Sequence, residues 1–174
     1  PLHHIDLLGT VIFPALMALG VGIPLAWGKP VEWTGNPRYL TRRFSMRTIR
    51  LMVSVAGPAM NLLLALVLSG VLILAGKLGS VEGVTIAMQL IAINLGLMFF
   101  NLLPIPPLDG RSFLEFLPNS MASFRDFMFK YGAFIFLALV LLGTGGLSPL
   151  RLIMSPFYKL IDLYVGFLFR IAGV

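Results

Sequence analysis

Residues 51–74 read LMVSVAGPAMNLLLALVLSGVLIL, and this stretch decides the fold class because it contains no charged side chain. As a helix rising about 1.5 Å per residue, it is long enough to cross roughly 30 Å of hydrocarbon. The whole chain has the same character: of its 174 residues 58% are hydrophobic and 11% are charged, whereas charged residues make up about 25% of ordinary soluble domains. Such a chain cannot cover its own exterior with polar groups, so we expect the lipid bilayer to surround it.

Four further apolar stretches accompany this span. They lie at residues 7–27, 84–103, 127–142 and 149–172. The last one is interrupted by Pro156 and carries Lys159, Asp162 and Arg170, so it fits either a fifth span or a helix that lies in the membrane interface. The sequence therefore predicts an all-α fold, a polytopic membrane helix bundle of four to five spans. We expect residues 1–174 to form a single integral-membrane domain.

The net charge of +6 is concentrated between the first two apolar stretches. This segment contains one acid, Glu32, and six cations: Lys29, Arg38, Arg42, Arg43, Arg47 and Arg50. A basic loop next to membrane spans is typical of the cytoplasmic side, where it faces anionic lipid. We predict that loop 28–50 is cytoplasmic, that the membrane is the cytoplasmic membrane of a prokaryote, and that the charge does not serve nucleic-acid binding. The absence of cysteine excludes disulfides, thiolate metal sites and cysteine nucleophiles from this chain.

Asp109 is the most informative polar residue. It follows Pro104, Pro106 and Pro107, which prevent a continuous helix between two apolar segments. A carboxylate at membrane depth costs several kcal/mol unless it is paired, so a functional role is the default interpretation there. In the alternative, Asp109 caps the next helix from a cytoplasmic loop. Residue chemistry alone leaves both interpretations open.

Asn61 is the second candidate, one helical turn beyond the Gly57-Pro58 pair that is expected to kink its helix. Its amide could donate a hydrogen bond to a substrate carbonyl or a developing oxyanion. It could also form an interhelical bond of the kind that holds membrane bundles together, and residue chemistry favours this structural role. Asn94 and Asn101 share one helix face and are predicted to be packing residues. His3 and His4 are adjacent, so they do not form the i, i+4 pair that binds zinc on a helix.

Several segments, taken in order, match one known family. They are PLHHIDLLGTVIFP (1–14), WGKPVEW (27–33) with NPR (36–38), AGPAMNLLLAL (56–66) and FNLLPIPPLDGR (100–111). In these segments the chain resembles the site-2 protease family of intramembrane zinc metalloproteases, in the compact form without a PDZ domain. The last two segments are the most specific, and the similarity covers most of the chain.

The resemblance implies a helical membrane core that binds one Zn²⁺. In the family, two histidines of a His-Glu-x-x-His helix and the aspartate of a Leu-Asp-Gly motif hold the metal, and the glutamate activates water. Asp109 matches the aspartate ligand, and Asn61 matches the asparagine that helps to position the substrate backbone. The implied function is zinc-dependent peptide hydrolysis in transmembrane helices of other proteins, which would be the partners.

One departure from the family is large, because this sequence contains no His-Glu-x-x-His. The resemblance therefore describes the C-terminal part of a site-2 protease-like core, and the chain as given is expected to be inactive alone. It is either a piece of a longer protein, which we favour, or a natural remnant that has lost catalysis. The alternative function is that of a non-catalytic structural subunit in a larger membrane complex.

Overall fold

The structure, a computed structural model, describes residues 44–142 and 149–173. Its long helices are α1 (Met46–Lys77), α2 (Val81–Asn101), α3 (Ala122–Leu141) and α4 (Pro149–Ala172). Two short 3₁₀ segments, Asp109–Phe116 and Asn119–Met121, lie between α2 and α3. These residues include no strand, which confirms the predicted all-α class. The apolar stretch 7–27, both histidines and most of the basic loop lie outside the described residues.

Three of the described helices, α1, α2 and α4, are long and apolar enough to cross a membrane. Helix α1 contains the predicted span 51–74, and α2 contains residues 84–101 of the predicted span 84–103. The third continues through Pro156 as one helix, so residues 149–172 are long and apolar enough to span a membrane. Interfacial helices can be equally long, so both predicted alternatives stay open. The predicted span 127–142 corresponds to α3, which is not among the three.

The first half of α3 is charged, which explains this difference. Arg125, Asp126 and Lys130 all lie there, and the part of α3 after Lys130 is only about 17 Å long at 1.5 Å per residue. That length is short of the roughly 30 Å hydrocarbon layer. The total of four to five spans stays a prediction, because the described residues contain three helices of the required length and composition.

Helix α1 begins earlier than its apolar run. Ser45 is the N-cap, and its hydroxyl accepts a hydrogen bond from the Thr48 amide at 3.2 Å. The loop predicted over residues 28–50 therefore ends at Ser45. The apolar pattern did not show this, because the helix start depends on the Ser45 cap, which satisfies a free backbone amide of the first turn. At the other end, Gly79 adopts a left-handed φ of 70° in the turn that reverses the chain into α2.

The main core lies where α1, α2 and α4 meet. Leu72 of α1 and Ile91 of α2 are fully buried. Helix α4 contributes one stripe of residues three or four apart: Ile161, Val165, Leu168 and Ala172. A buried hydroxyl joins the helices, because Ser69 donates to the Ala65 carbonyl at 2.7 Å and lies 2.8 Å from the Tyr164 hydroxyl. Such an interhelical bond is worth about 1 kcal/mol or less in a membrane.

A second cluster surrounds the proline-rich segment. It consists of Leu103, Leu108, Phe136 and Met154, contributed by this segment, α3 and α4. Gly132 lets α3 approach the segment closely, because a Cβ there would lie 2.5 Å from Cδ of Pro106. Apolar contacts on both sides thus fix the prolines, and the residues that follow them are directed towards α1.

Candidate metal site at Asp109

Asp109 opens the 3₁₀ segment Asp109–Phe116, directly after the buried Leu108. Its neighbour Gly110 lies against the end of α2, where an added Cβ would come within 2.3 Å of the Leu103 carbonyl oxygen and 2.4 Å of that of Leu102. Only glycine permits this approach. The Asp-Gly pair therefore folds back onto the residues that follow α2, and the carboxylate of Asp109, which is an exposed residue, lies beside α1.

The Asp109 carboxylate lies against α1 at Gly57. An ideal Cβ built on Gly57 would be 3.3 Å from Oδ2 of Asp109, so that a side chain at position 57 would press on the carboxylate. The next residue, Pro58, has no amide hydrogen and leaves the carbonyl of Ser54 without its usual intrahelical donor. The absence of a side chain at Gly57 leaves room for the carboxylate at this level of the helix.

Two further contacts continue from Asp109 along the same two elements. The hydroxyls of Ser54 and Ser112 are hydrogen-bonded at 2.5 Å, and Arg50 forms an ion pair with Glu115 at 2.9 Å. We call the three contacts the polar row: Arg50–Glu115, Ser54–Ser112 and Gly57–Asp109. The row runs antiparallel, so that each turn of the 3₁₀ segment meets one turn of α1.

Asp109 is an exposed residue, but partial desolvation by its surroundings raises the pKa of its carboxyl above the ordinary value, and the nearby positive charge of Arg111 opposes this rise. Desolvation is the larger of the two effects. Asp109 lies in the first turn of the 3₁₀ segment, as the alternative interpretation requires of a charge at a helix N-terminus, but it makes no capping hydrogen bond there. Leu108 is the N-cap of the 3₁₀ segment, and no side-chain hydrogen bond caps it.

Asn61 lies on α1, one turn after Gly57, and is half-buried. Its amide makes no hydrogen bond with any residue that the structure describes, and thus no interhelical bond there of the kind that the structural role requires. Asn94, by contrast, donates to the Leu90 carbonyl of its own helix at 2.8 Å. Asn101 is the last residue of α2 and is also half-buried.

The polar row contains residues that the sequence analysis did not select. Glu115 looks like a solvated charge in the sequence, and the two serines carry no motif that distinguishes them. One signal was available: positions 109, 112 and 115 repeat every three residues, which is the period of a 3₁₀ helix. The proline-broken sequence gave no reason to expect that helix type.

The described residues do not form a complete zinc site. Zinc in enzymes is held by at least three protein ligands, and among residues 44–142 and 149–173 no three His, Cys, Asp or Glu side chains lie close enough together to share a metal. The carboxylate of Asp109 is suited to be one of these ligands, because carboxylate oxygens coordinate zinc and its Oδ2 lies beside Gly57 of α1.

An apolar cavity of 240 Å³ lies elsewhere, between α1, α2 and α4. Leu62, Leu95 and Tyr164 line it, one from each helix, and Asp109 is not among its lining residues. It offers almost no polar surface and is therefore not a place for hydrolytic chemistry.

The chain is similar to one curated protein of Bacillus subtilis (strain 168), named "Putative zinc metalloprotease YwhC". The two are 32% identical over 155 residues, which include 83% of this chain and 64% of the relative. The chain therefore spans less than two thirds of that protein. No protein-family model matches the chain, and no solved structure matches it. The similarity to the Bacillus protein suggests a zinc metalloprotease family.

Proposed function

We propose that this chain is the part of an intramembrane zinc endopeptidase of the site-2 protease type that supplies one metal ligand and the substrate-positioning amide. The observation that carries the proposal is the position of Asp109, whose carboxylate lies against Gly57 of a membrane-length helix. The similarity to a protein named as a zinc metalloprotease supports the same chemistry.

The depth of the carboxylate supports the intramembrane part of the proposal. Arg50 is half exposed and is the last charged residue before the apolar part of α1. Gly57 follows it by seven residues, or about 10 Å along the helix axis. If a hydrocarbon layer of roughly 30 Å begins at that cation, Asp109 would lie about a third of the way into it. Desolvation there favours a carboxylate whose charge is balanced by a cation.

Asp109, Asn61 and the 3₁₀ segment each have a distinct role in the proposal. Asp109 holds the metal together with ligands from outside the described residues. Zinc, when bound, supplies the Lewis-acid chemistry of peptide hydrolysis. Asn61 donates a hydrogen bond from its side-chain amide to the backbone of a transmembrane substrate, for which its lack of a partner among the described residues leaves it available. The 3₁₀ segment keeps Asp109 next to α1.

The direct test is the zinc content of the protein expressed from its complete reading frame and purified in detergent. We expect Asp109→Asn to weaken zinc binding by more than about 100-fold, since even the loss of a residue that only supports a ligand costs about 10–100-fold. Asp126→Asn is the matched control. That carboxylate is 71% exposed and is paired with its neighbour Arg125 at 3.3 Å, so its loss should leave zinc binding unchanged.

Two results would contradict the proposal. Equal zinc affinity in the wild type and in Asp109→Asn would remove Asp109 from the metal site. A wild-type protein without zinc that co-purifies at fixed stoichiometry with a larger membrane complex would support the alternative function, that of a non-catalytic subunit.

A substitution at Asn61 tests the second role. We expect Asn61→Ala to reduce peptide hydrolysis while zinc content and melting temperature stay close to those of the wild type, because the half-buried amide holds no described neighbour in place. The rate of cleavage of a transmembrane substrate and the melting temperature in detergent are the two measurements. Equal losses in both would assign Asn61 to packing.

A further inference from the structure

The position of Asp109 depends on contacts with other elements more than on its own helix. It belongs to a 3₁₀ segment of eight residues, and 3₁₀ helices of that length have poor hydrogen-bond geometry and little stability of their own. Residues at intervals of three share one face of such a helix. Asp109, Ser112 and Glu115 are therefore held together, and whatever fixes Ser112 also fixes the carboxylate one turn away.

Ser112 is a strong anchor because it is buried. Ser112 is 5% exposed, and Leu114, two residues further along the chain, is 3% exposed. A buried hydroxyl needs a hydrogen-bond partner, and among the described residues the partner of Ser112 is the hydroxyl of Ser54 at 2.5 Å. The bond joins the 3₁₀ segment to α1 in the middle of the polar row.

The ion pair at the end of the polar row is a weaker anchor. The side chains of Arg50 and Glu115 are 50% and 21% exposed, and exposed ion pairs hold little because water screens them and both side chains are flexible. The serine pair is shorter, more buried and one turn closer to Asp109. Of the two polar bonds in the row, it therefore has the greater control over where the carboxylate lies.

We propose that Ser54 is a positioning residue for the metal site, acting through its hydrogen bond to Ser112 to hold Asp109 in the geometry that binds zinc. This inference rests on the proposed function of Asp109. It adds that α1, which carries the substrate-positioning Asn61, also sets the orientation of the metal ligand. The same helix would then align the metal and the substrate backbone with each other.

The test compares zinc affinity in Ser54→Ala and Ser69→Ala, using the complete reading frame in detergent and competition with a chelator for Zn²⁺. The two serines lie on the same helix, and each forms a hydroxyl–hydroxyl bond to another element. Only Ser54 faces the polar row. We expect Ser54→Ala to lower zinc affinity about tenfold, the low end of the effect of residues that orient a ligand, and Ser69→Ala to leave it unchanged.

Two further readouts separate positioning from general stability. With Co²⁺ in place of zinc, the visible spectrum should change in Ser54→Ala and not in Ser69→Ala, because the spectrum reports the geometry of the ligands. Ser112→Ala should resemble Ser54→Ala, and the double variant should be no worse than either, since both remove the same bond.

The outcomes distinguish this inference from the proposed function. If Asp109→Asn loses zinc while Ser54→Ala keeps wild-type affinity and spectrum, the positioning role is wrong and the ligand role stands. Additive losses in the double variant would also refute it. If Asp109→Asn keeps zinc, the proposed function itself fails.

Discussion

At the scale of single residues, two glycines determine where Asp109 can lie. Gly57 opens the surface of α1 to the carboxylate, and Gly110 opens the path past the end of α2. The requirement for glycine is stricter at position 110, because the atoms that a Cβ would meet there belong to the backbone and cannot rotate away. At Gly57 the atom is the end of a side chain, which can shift by a few tenths of an ångström.

We therefore expect Gly110→Ala to displace Asp109 and to lower both the melting temperature and the zinc affinity. Forcing extra atoms into a packed site costs about 1–3 kcal/mol, and a contact of 2.3 Å with the Leu103 carbonyl lies at the severe end. The matched control is Gly70→Ala on α1, where nothing lies within 4 Å of the new Cβ. That change should be neutral or stabilise the helix by up to about 1 kcal/mol. Similar melting temperatures for both variants would contradict this account.

The residues of the candidate site differ in how far the sequence could predict them. Asp109 could be found because a carboxylate after three prolines in an apolar chain is chemically unusual. Ser54 and Ser112 could not be found, because an isolated serine is common and the contact joins positions 58 residues apart. The role of Arg50 in an ion pair was hidden for a similar reason. In the sequence it belongs to a basic loop, and only the capped start of α1 makes it a helical residue.

At the scale of secondary-structure elements, the central feature is the pairing of α1 with the 3₁₀ segment. A disulfide can test this pairing, since the chain has no cysteine of its own. Two serine oxygens 2.5 Å apart place the Cβ atoms within about 5 Å of each other, close to the separation that a disulfide requires.

We expect the variant Ser54→Cys with Ser112→Cys to form an intramolecular disulfide on mild oxidation in membranes. The measurement is the mass of the alkylated protein before and after oxidation. The control pair is Ser54→Cys with Ser69→Cys, two positions on one rigid helix that are about 22 Å apart at 1.5 Å per residue. Failure of the first pair to close would show that the 3₁₀ segment does not lie on α1.

The elements themselves were predictable to different degrees. The spans at 51–74 and 84–103 were found as helices because an uncharged apolar run of this length has few other stable structures in lipid. Their ends were not found, since α1 begins at a Ser45 cap and includes charged residues before its apolar part. Helix α4 passes through Pro156, a residue that the sequence alone suggested as a break. Pro156 leaves the Leu152 carbonyl without its usual amide donor, and the Ser155 hydroxyl donates to that carbonyl at 2.9 Å, which helps the helix to continue.

At the scale of the whole molecule, the account requires a fixed orientation in the membrane. The basic loop precedes α1, so Ser45 should lie on the cytoplasmic side and Ser80, in the turn after α1, on the opposite side. We expect a membrane-impermeant maleimide to label Ser80→Cys in intact cells, and Ser45→Cys only after the cells are opened. The reverse pattern would place Asp109 near the outer surface and would contradict the predicted cytoplasmic loop.

The central claim is that Asp109 binds zinc, and X-ray absorption at the zinc edge of an Asp109→Cys variant tests it most directly. A thiolate ligand gives a Zn–S distance of about 2.3 Å, longer than the distances to oxygen or nitrogen ligands. We predict that the zinc-loaded variant, made from the complete reading frame, gains one sulfur at this distance relative to the wild type, and that Asp126→Cys does not. A zinc-loaded Asp109→Cys protein whose spectrum matches that of the wild type would contradict the claim.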